Sequence, residues 1–337
     1  MESPKSEIAF LFWGRKGGGS DLLELLTRTA VLMDYKVASF ARPVSSKDKN
    51  NGKQFSVLNV YRWLKARRYL IDQLKNKDIK ILVIVMASPW DLFLGRQLEK
   101  KGIQVTRIIH DSFRHKGDLF PPKIWIRLLL KDCSKIVTLS EYVARDLLSR
   151  FSVPNNIITK AILPPYIPDN FNRRDIQKSA NIVLIGRGKK YQGQKLIEET
   201  WKNLEIADLK LIISGQGFKP NSKNPDIEYR NSWMSRVDFL TLIQSAKAVV
   251  LPYSEATQSG IIPLCAILGT PVIVTPSGGL PEQVEFWQNG IVSSSFSPKS
   301  FADAIAICIE QEWKFDPNRD FKLGEKLVVS CLPEKCL

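Results

Sequence analysis

The sequence predicts an α/β protein built as two doubly wound domains that face each other across a cleft. Three observations carry this expectation. Short β-rich apolar runs alternate with helical stretches from one end of the chain to the other, and such alternation gives right-handed crossovers and a parallel sheet covered on both faces. The rhythm breaks once, over 163–180, where Pro164, Pro165, Pro168 and Arg173-Arg174 interrupt it and read as a linker. The 337 residues exceed one ordinary core and suit two domains of about 150 residues each.

In the first half the strand-like runs are Ile8–Trp13, Lys36–Ala41, Ile79–Ala87, Val105–His110 and Lys135–Leu139. Helical stretches lie between them at Ser20–Met33, Val57–Lys75, Asp91–Lys101 and Lys123–Asp132. Ser140 then stands where an N-cap would open the helix Glu141–Arg150. In the second half strands are expected at Ile182–Gly186, Leu209–Ser214, Ala248–Pro252 and Val272–Thr275. Helices are expected at Gln194–Leu204, Val237–Ala246, Gly260–Leu268 and Pro298–Gln311. The resulting division is 1–165, a linker 166–180, a second domain 181–315 and a tail 316–337. Ligands of such sheets bind beyond the carboxyl ends of the strands, so two facing domains place the site in the cleft.

Composition narrows the class. Hydrophobic residues make up 44% and charged residues 25%, which is globular and neither disordered nor fibrous. The longest apolar stretch, Gly260–Val274, contains Pro263, Gly269 and Pro271 and falls short of the roughly 18 clean residues of a membrane span. The polar start Met1–Glu7 lacks the apolar centre of a secretory signal. Five cysteines, none in a Cys-x-x-Cys pair, and only two histidines read as buried thiols in a reducing cytoplasm, without a zinc site. Glu334 stands where a prenylated cysteine would be. The net charge of +15 attracts polyanions, whether nucleic acid, anionic lipid or a phosphate-bearing substrate, or serves solubility alone.

Four segments at strand ends hold candidate chemistry. The loop Gly14-Arg15-Lys16-Gly17-Gly18-Gly19-Ser20 lets backbone approach a ligand and opens a helix N-terminus to an anion, or simply makes a tight turn. It is neither a dinucleotide fingerprint nor a Walker A box. His110-Asp111-Ser112-Phe113-Arg114-His115-Lys116-Gly117-Asp118 gathers both histidines of the chain within six residues at a strand end, where imidazole serves as base, donor or polar anchor. Gly186-Arg187-Gly188-Lys189-Lys190-Tyr191-Gln192-Gly193 puts cations at the first strand end of the second domain, suited to a departing pyrophosphate. Lastly, the segment Pro252–Glu282 has a loop of small residues, Gln258-Ser259-Gly260-Ile261, opening an apolar helix that Gly269 ends before a buried strand.

These residues carry a resemblance over nearly the full length. The chain resembles a family 4 retaining glycosyltransferase with the GT-B fold, most specifically through Gly269-Thr270-Pro271-Val272 and Gly279-Leu280-Pro281-Glu282. The resemblance implies two Rossmann-like domains, acceptor side first and nucleotide-sugar side second. It implies transfer of a sugar from a UDP- or GDP-sugar to a glycan or lipid-linked acceptor, without metal or cofactor. No Asp-x-Asp pair occurs in the chain. By resemblance, His110 contacts the transferred sugar, and Arg187 and Lys190, with Lys189 beside them, neutralise the leaving diphosphate. Gly17, Gly18 and Gly19 approach the donor phosphate or the acceptor, and Gln258, Ser259, Gly260 and Ile261 line the sugar and phosphate pocket.

The chain departs from the family at several points. The family's Glu-x7-Glu positions are Ala256 and Leu264, and Gln192 rather than Lys precedes Gly193. Ribose is therefore expected to be held otherwise or less tightly, with Glu282 not reaching it, and the nucleotide mainly through phosphate contacts. The final helix that usually returns to the first domain is not evident after Trp313. Basic and aromatic residues mix on two first-domain helices, Tyr61, Arg62, Trp63, Lys65, Arg67, Arg68 and Tyr69 on one, Phe120, Lys123, Trp125, Ile126, Arg127, Leu129 and Lys131 on the other. Such faces suit an anionic membrane surface, as well as ordinary packing. The expectation is thus a cytoplasmic, peripheral enzyme of surface polysaccharide assembly. Two rivals stand beside it: a non-catalytic partner with the same fold, and a basic nucleic-acid binder, although no nucleic-acid module is visible.

Overall fold

The computed structural model describes residues 5–14, 17–41, 57–88, 90–115, 122–171, 176–202, 204, 206–316 and 319–333. Arg15, Lys16, Lys116, Gly117, Asp118, Phe120, Arg173-Arg174 and the terminal residues 1–4 and 334–337 lie outside them.

The first domain runs β1 (Lys5–Phe12), α1 (Gly18–Leu32), β2 (Tyr35–Ala41), α2 (Val57–Asn76), β3 (Ile81–Ile84), α3 (Leu94–Glu99), β4 (Gln104–Ile109), α4 (Lys123–Leu130), β5 (Lys135–Thr138), α5 (Glu141–Arg150) and β6 (Ile158–Lys160). The second runs β7 (Asn181–Ile185), α6 (Gln194–Trp201), β8 (Lys210–Ser214), β9 (Ile227–Arg230), α7 (Arg236–Ser245), β10 (Ala248–Leu251), α8 (Ile261–Ile267), β11 (Val272–Val274), α9 (Leu280–Trp287), β12 (Gly290–Val292) and α10 (Pro298–Glu310), and α11 (Arg319–Cys331) follows.

Both sheets are parallel and six-stranded, ordered β2-β1-β3-β4-β5-β6 and β12-β11-β10-β7-β8-β9. Strand residues alternate between the two covered faces. Ile8, Phe10 and Phe12 pack with Leu22, Leu26 and α11, whereas Ala9 and Leu11 pack with Leu70, Leu74 and Leu98 on the opposite side. This is why β3 and β10 are buried at every position and read as unbroken apolar runs.

Three strands escape the sequence pattern, namely β6, β9 and β12. β6, β9 and β12 lie at sheet edges, and β9 reads Ile-Glu-Tyr-Arg with Glu228 and Arg230 exposed. An edge strand needs no continuous apolar run. The expected strand Ile79–Ala87 shortens to β3 because Asp91 accepts from the Ser88 N–H at 2.8 Å and turns the chain away.

The carboxyl-terminal stretch 316–337, read as a tail, carries α11. Leu327, Val328, Cys331 and Leu332 enter the core of the first domain, and the Thr106 hydroxyl donates to the Cys331 carbonyl at 2.9 Å. A Cβ at Gly324 would lie 3.0 Å from the Thr29 hydroxyl, so glycine lets α11 press against α1. The chain therefore crosses back to the first domain. Among the described residues no helix is long and apolar enough to cross a membrane.

Candidate functional site

The carboxyl ends of β4 and β10, which belong to different sheets, meet at the cleft. Beyond β4, Asp111 is the meeting point. Its Oδ1 lies 3.2 Å from His110 Nδ1, 3.2 Å from His115 Nε2 and 2.5 Å from the Thr257 hydroxyl of the second domain. Burial works against ionisation of Asp111, but the charge and hydrogen bonds of His110, then of His115, outweigh it and hold the carboxyl well below the usual carboxylate range.

His115, which the sequence reading placed in the segment without a role, stacks on Tyr191 with ring centres 5.0 Å apart. Its Nδ1 is 4.0 Å from Glu255 Oε1. The first domain's histidine is therefore seated among second-domain side chains. Two further contacts fasten the same edge. Ser140 caps α5, accepting from the Val143 N–H at 3.2 Å, as its position before an apolar run predicts, and its hydroxyl also donates to the Thr257 carbonyl at 3.2 Å. Glu282 accepts from the Tyr142 N–H at 2.9 Å. A carboxylate at a helix N-terminus is favoured by the unpaired N–H groups and the helix dipole. Burial nevertheless pushes the Glu282 carboxyl up, in spite of the Tyr142 and Glu141 N–H groups.

On the second-domain wall, Gln192 organises the cationic loop. Its Oε1 accepts from the backbone N–H of Arg187 at 2.9 Å and of Lys189 at 3.1 Å, and its Nε2 donates to the Tyr253 hydroxyl at 3.3 Å. The loop is pinned by its backbone while the side chains of Arg187 and Lys190 are exposed. Gly193 has φ 73°, and a Cβ there would lie 1.7 Å from the Pro252 carbonyl, so only glycine allows this approach of the two loops. Gln192 thus has a structural use that its place before Gly193 did not reveal.

The loop Gln258-Ser259-Gly260-Ile261 divides in two. Ser259 and Ile261 serve the loop itself: the Ser259 N–H donates to Gln283 Oε1 at 2.7 Å, and the Ile261 N–H donates to the Ser259 hydroxyl at 3.3 Å. Gln258 differs. It is 7% exposed, and neither its Oε1 nor its Nε2 has a hydrogen-bond partner among the described residues. Ser112, beside Asp111, is likewise buried with its hydroxyl unpartnered. Buried polar atoms are nearly always paired, so the Gln258 amide and the Ser112 hydroxyl, without partners among the described residues, mark these two loops as candidates for the site. Ala256 and Leu264, at the family's two carboxylate positions, are 3% and 5% exposed and sit in the apolar core of the second domain.

The glycine-rich loop forms the third side. Gly17 has φ 139° and is the N-cap of α1, its N–H held by the Ser20 hydroxyl at 2.9 Å. Gly17 and Gly18 have open space where a Cβ would stand, whereas a Cβ at Gly19 would strike the Phe12 ring. Gly19 is thus a packing glycine, and Gly17 and Gly18 are the exposed ones. Asp21, one turn on, pairs with Arg236 of α7 at 3.3 Å, so the start of α1 faces the second domain. Asp111, His115, Thr257, Tyr191, Tyr253 and Gln192 were not singled out as site residues. The signal that could have found them is their place in the loops that follow β4, β7 and β10, with Asp111 and Tyr253 two residues beyond a strand end. Among the described residues, no three His, Cys, Asp or Glu side chains gather to hold a metal ion.

Comparison with known proteins matches this architecture. Residues 17–159 match the family model described as Glycosyltransferase Family 4, and residues 179–311 match the one described as Glycosyl transferases group 1. The chain is 30% identical over 205 residues to an uncharacterized glycosyltransferase of Methanocaldococcus jannaschii, covering 54% of this chain and 52% of that protein. It spans about half or less of the length of the curated relatives it matches. The catalytic domain of starch synthase IV from Arabidopsis thaliana, solved with ADP and acarbose, superposes with a TM-score of 0.69 at 11% identity over 97% of this chain and 95% of that one. Anabaena HepE in complex with UDP gives 0.62 at 11% identity, over 97% and 94%. At these identities the likeness shows the fold. The chain belongs to the family 4 glycosyltransferases and has their two-domain GT-B architecture.

Proposed function

We propose that the chain transfers a sugar from a UDP- or GDP-sugar to a glycan or lipid-linked acceptor, with retention of anomeric configuration and without a metal ion, in surface polysaccharide assembly. The observation that carries this reading is Gln258, which follows the Thr257 that meets Asp111 and whose buried amide has no hydrogen-bond partner among the described residues. An amide offers one donor and one acceptor side, suited to a sugar or phosphate. The family and the UDP and ADP held by neighbours of the same fold support a nucleotide donor on 181–315 and an acceptor on 1–165. The roles are those the family resemblance implies. Exposed Arg187 and Lys190 offset the diphosphate charge as the glycosidic bond to the donor breaks, with Lys189 beside them. His110 contacts the transferred sugar, Gly17 and Gly18 allow close backbone approach, and Ser259, Gly260 and Ile261 shape the pocket floor.

A peripheral seat on an anionic membrane is supported by α2 and α4. Tyr61, Leu64, Tyr69 and Ile124 are exposed among exposed Arg62, Lys65, Arg68, Lys123 and Arg127. Trp63 is not part of that face, since it stacks on Trp90 at 4.8 Å and meets Trp13 edge-on at 5.1 Å.

The test is transfer from UDP- and GDP-sugars to glycan and lipid-linked acceptors, with and without chelator, and product linkage read by NMR. A product of the donor's own anomeric configuration, formed in chelator, is expected. An inverted linkage refutes retention, chelator-sensitive turnover refutes metal independence, and donor binding without transfer favours the non-catalytic partner. Binding to anionic but not neutral vesicles is expected for the α2–α4 face.

A further inference from the structure

The geometry points to Asp111 as a positioning residue that fixes His110 in its Nδ1–H tautomer and makes that setting depend on docking of the second domain through Thr257. The inference deepens the reading of the cleft as a glycosyl-transfer site and rests on it only for the effect on turnover. An ionised carboxylate only accepts hydrogen bonds. Asp111 Oδ1 has three neighbours within hydrogen-bond range, His110 Nδ1 at 3.2 Å, His115 Nε2 at 3.2 Å and the Thr257 hydroxyl at 2.5 Å, so all three must donate to it. His110 then carries its proton on Nδ1 and keeps Nε2 as the acceptor, whereas His115 carries a proton on Nε2. One carboxylate thereby holds the two rings in opposite settings.

The arrangement also joins the domains. His110, Asp111 and His115 follow β4, whereas Thr257 precedes Gln258 in the second domain. When the second domain docks, Thr257 brings the third donor to Asp111. His115 is locked at the same time by stacking on Tyr191 at 5.0 Å. The Nε2 lone pair of His110 is therefore presented in a fixed direction only when the donor loop is in place. For a sugar hydroxyl, an acceptor at Nε2 is a different contact from the donor that the other tautomer would offer.

Two histidines in 337 residues make the test direct. Long-range nitrogen–proton NMR of the imidazole rings, in buffer alkaline enough to keep them neutral, reads each tautomer, and His115→Gln assigns the two sets of signals. Wild type is expected to show His110 as Nδ1–H. Asp111→Asn presents an amide that can donate to Nδ1, and His110 is expected to switch to Nε2–H. With that switch kcat/KM should fall about 10- to 100-fold, as loss of an orienting partner does, with a changed pH profile. A wild-type ring in the Nε2–H form overturns the assignment without any variant. An Asp111→Asn protein that keeps the wild-type tautomer, or changes tautomer with wild-type turnover and pH profile, overturns the positioning role. If no sugar nucleotide supports transfer by wild type while the tautomer is as stated, the glycosyltransferase reading fails and the hydrogen-bond assignment stands.

Discussion

Strand β4 carries two charge clusters a few residues apart, and they differ in where their partners come from. Within the strand, Arg107 is 1% exposed and pairs with Asp91 at 2.8 Å and Asp132 at 2.7 Å. It also donates to the Asp91 carbonyl, and Asp132 accepts from the N–H groups of Gly95 and Arg96 at 3.1 and 2.8 Å. Every partner belongs to the first domain. Just beyond the strand, Asp111 takes two partners from its own domain and one, Thr257, from the other. The first cluster is closed, each charge satisfied by groups that stay together as long as the domain is folded. The second is completed only by docking, and Ser112 and Gln258, beside its members in sequence, keep buried polar atoms without partners among the described residues. Burial and charge are common to both clusters; what sets the candidate site apart is a partner supplied by the other domain.

The largest expected effect breaks the closed cluster. Arg107→Leu leaves two buried carboxylates without their cation and should cost about 3–5 kcal/mol of stability, read as a lower denaturant midpoint. Turnover per folded molecule should hold. If that stability is unchanged, the buried pairs do not support the fold as described.

Arg187→Ala is expected to do the reverse, lowering kcat by roughly two to three orders of magnitude with little change in unfolding. Wild-type turnover in this variant would remove Arg187 from the site. Between these lies Thr257→Val, which deletes the donor that crosses the cleft. A hydrogen bond to a charged group contributes about 1.5–3 kcal/mol. A double-mutant cycle with Asp111→Ala should recover coupling of that order, and additive losses would deny the contact.

The smallest effect is in the pH dependence, where Asp111 and Glu282 bridge the same interface with opposite sign. Asp111 has its folded value below 3.8, so its contribution is present above pH 3.8 and lost as pH falls toward the folded value. Glu282 has its folded value above 4.5, so its ionised form costs stability, and acidification through the folded value down to 4.5 relieves that cost. Unfolding midpoints against pH should therefore flatten at the acid end in Asp111→Asn, and should lose a small gain on acidification in Glu282→Gln.

Legibility in the sequence followed the same division. The central strands were readable because a parallel strand buried on both faces is an apolar run, as at Ile81–Ile84 and Ala248–Leu251. The edge strands β6, β9 and β12 were not, being partly exposed and only three or four residues long, whereas the seven-residue edge strand β2 was. The helix Arg319–Cys331 was hidden too, because its Lys322 and Lys326 dilute the apolar face that Leu327, Val328 and Cys331 form. Strand-end loops pointed to the candidate cleft, but not to its internal wiring. Nothing in the order of residues says that Asp111 meets Thr257, 146 positions away, or that Gln192 folds back on the backbone of Arg187. Such contacts arise from the docking of two sheets, and a linear pattern has no term for it.

The central claim is that the cleft holds a nucleoside diphosphate through its phosphates at the Arg187 strand end. Titration calorimetry of UDP, 2′-deoxy-UDP and uridine, with the guanosine series alongside, tests it on wild type and Arg187→Ala. The expected result is one nucleoside diphosphate bound far more tightly than its nucleoside, little loss on removing the 2′-hydroxyl, as buried Leu264 offers ribose no carboxylate, and a marked loss in Arg187→Ala. A nucleoside that binds as well as its diphosphate, or an Arg187→Ala protein that binds the diphosphate like wild type, would contradict it.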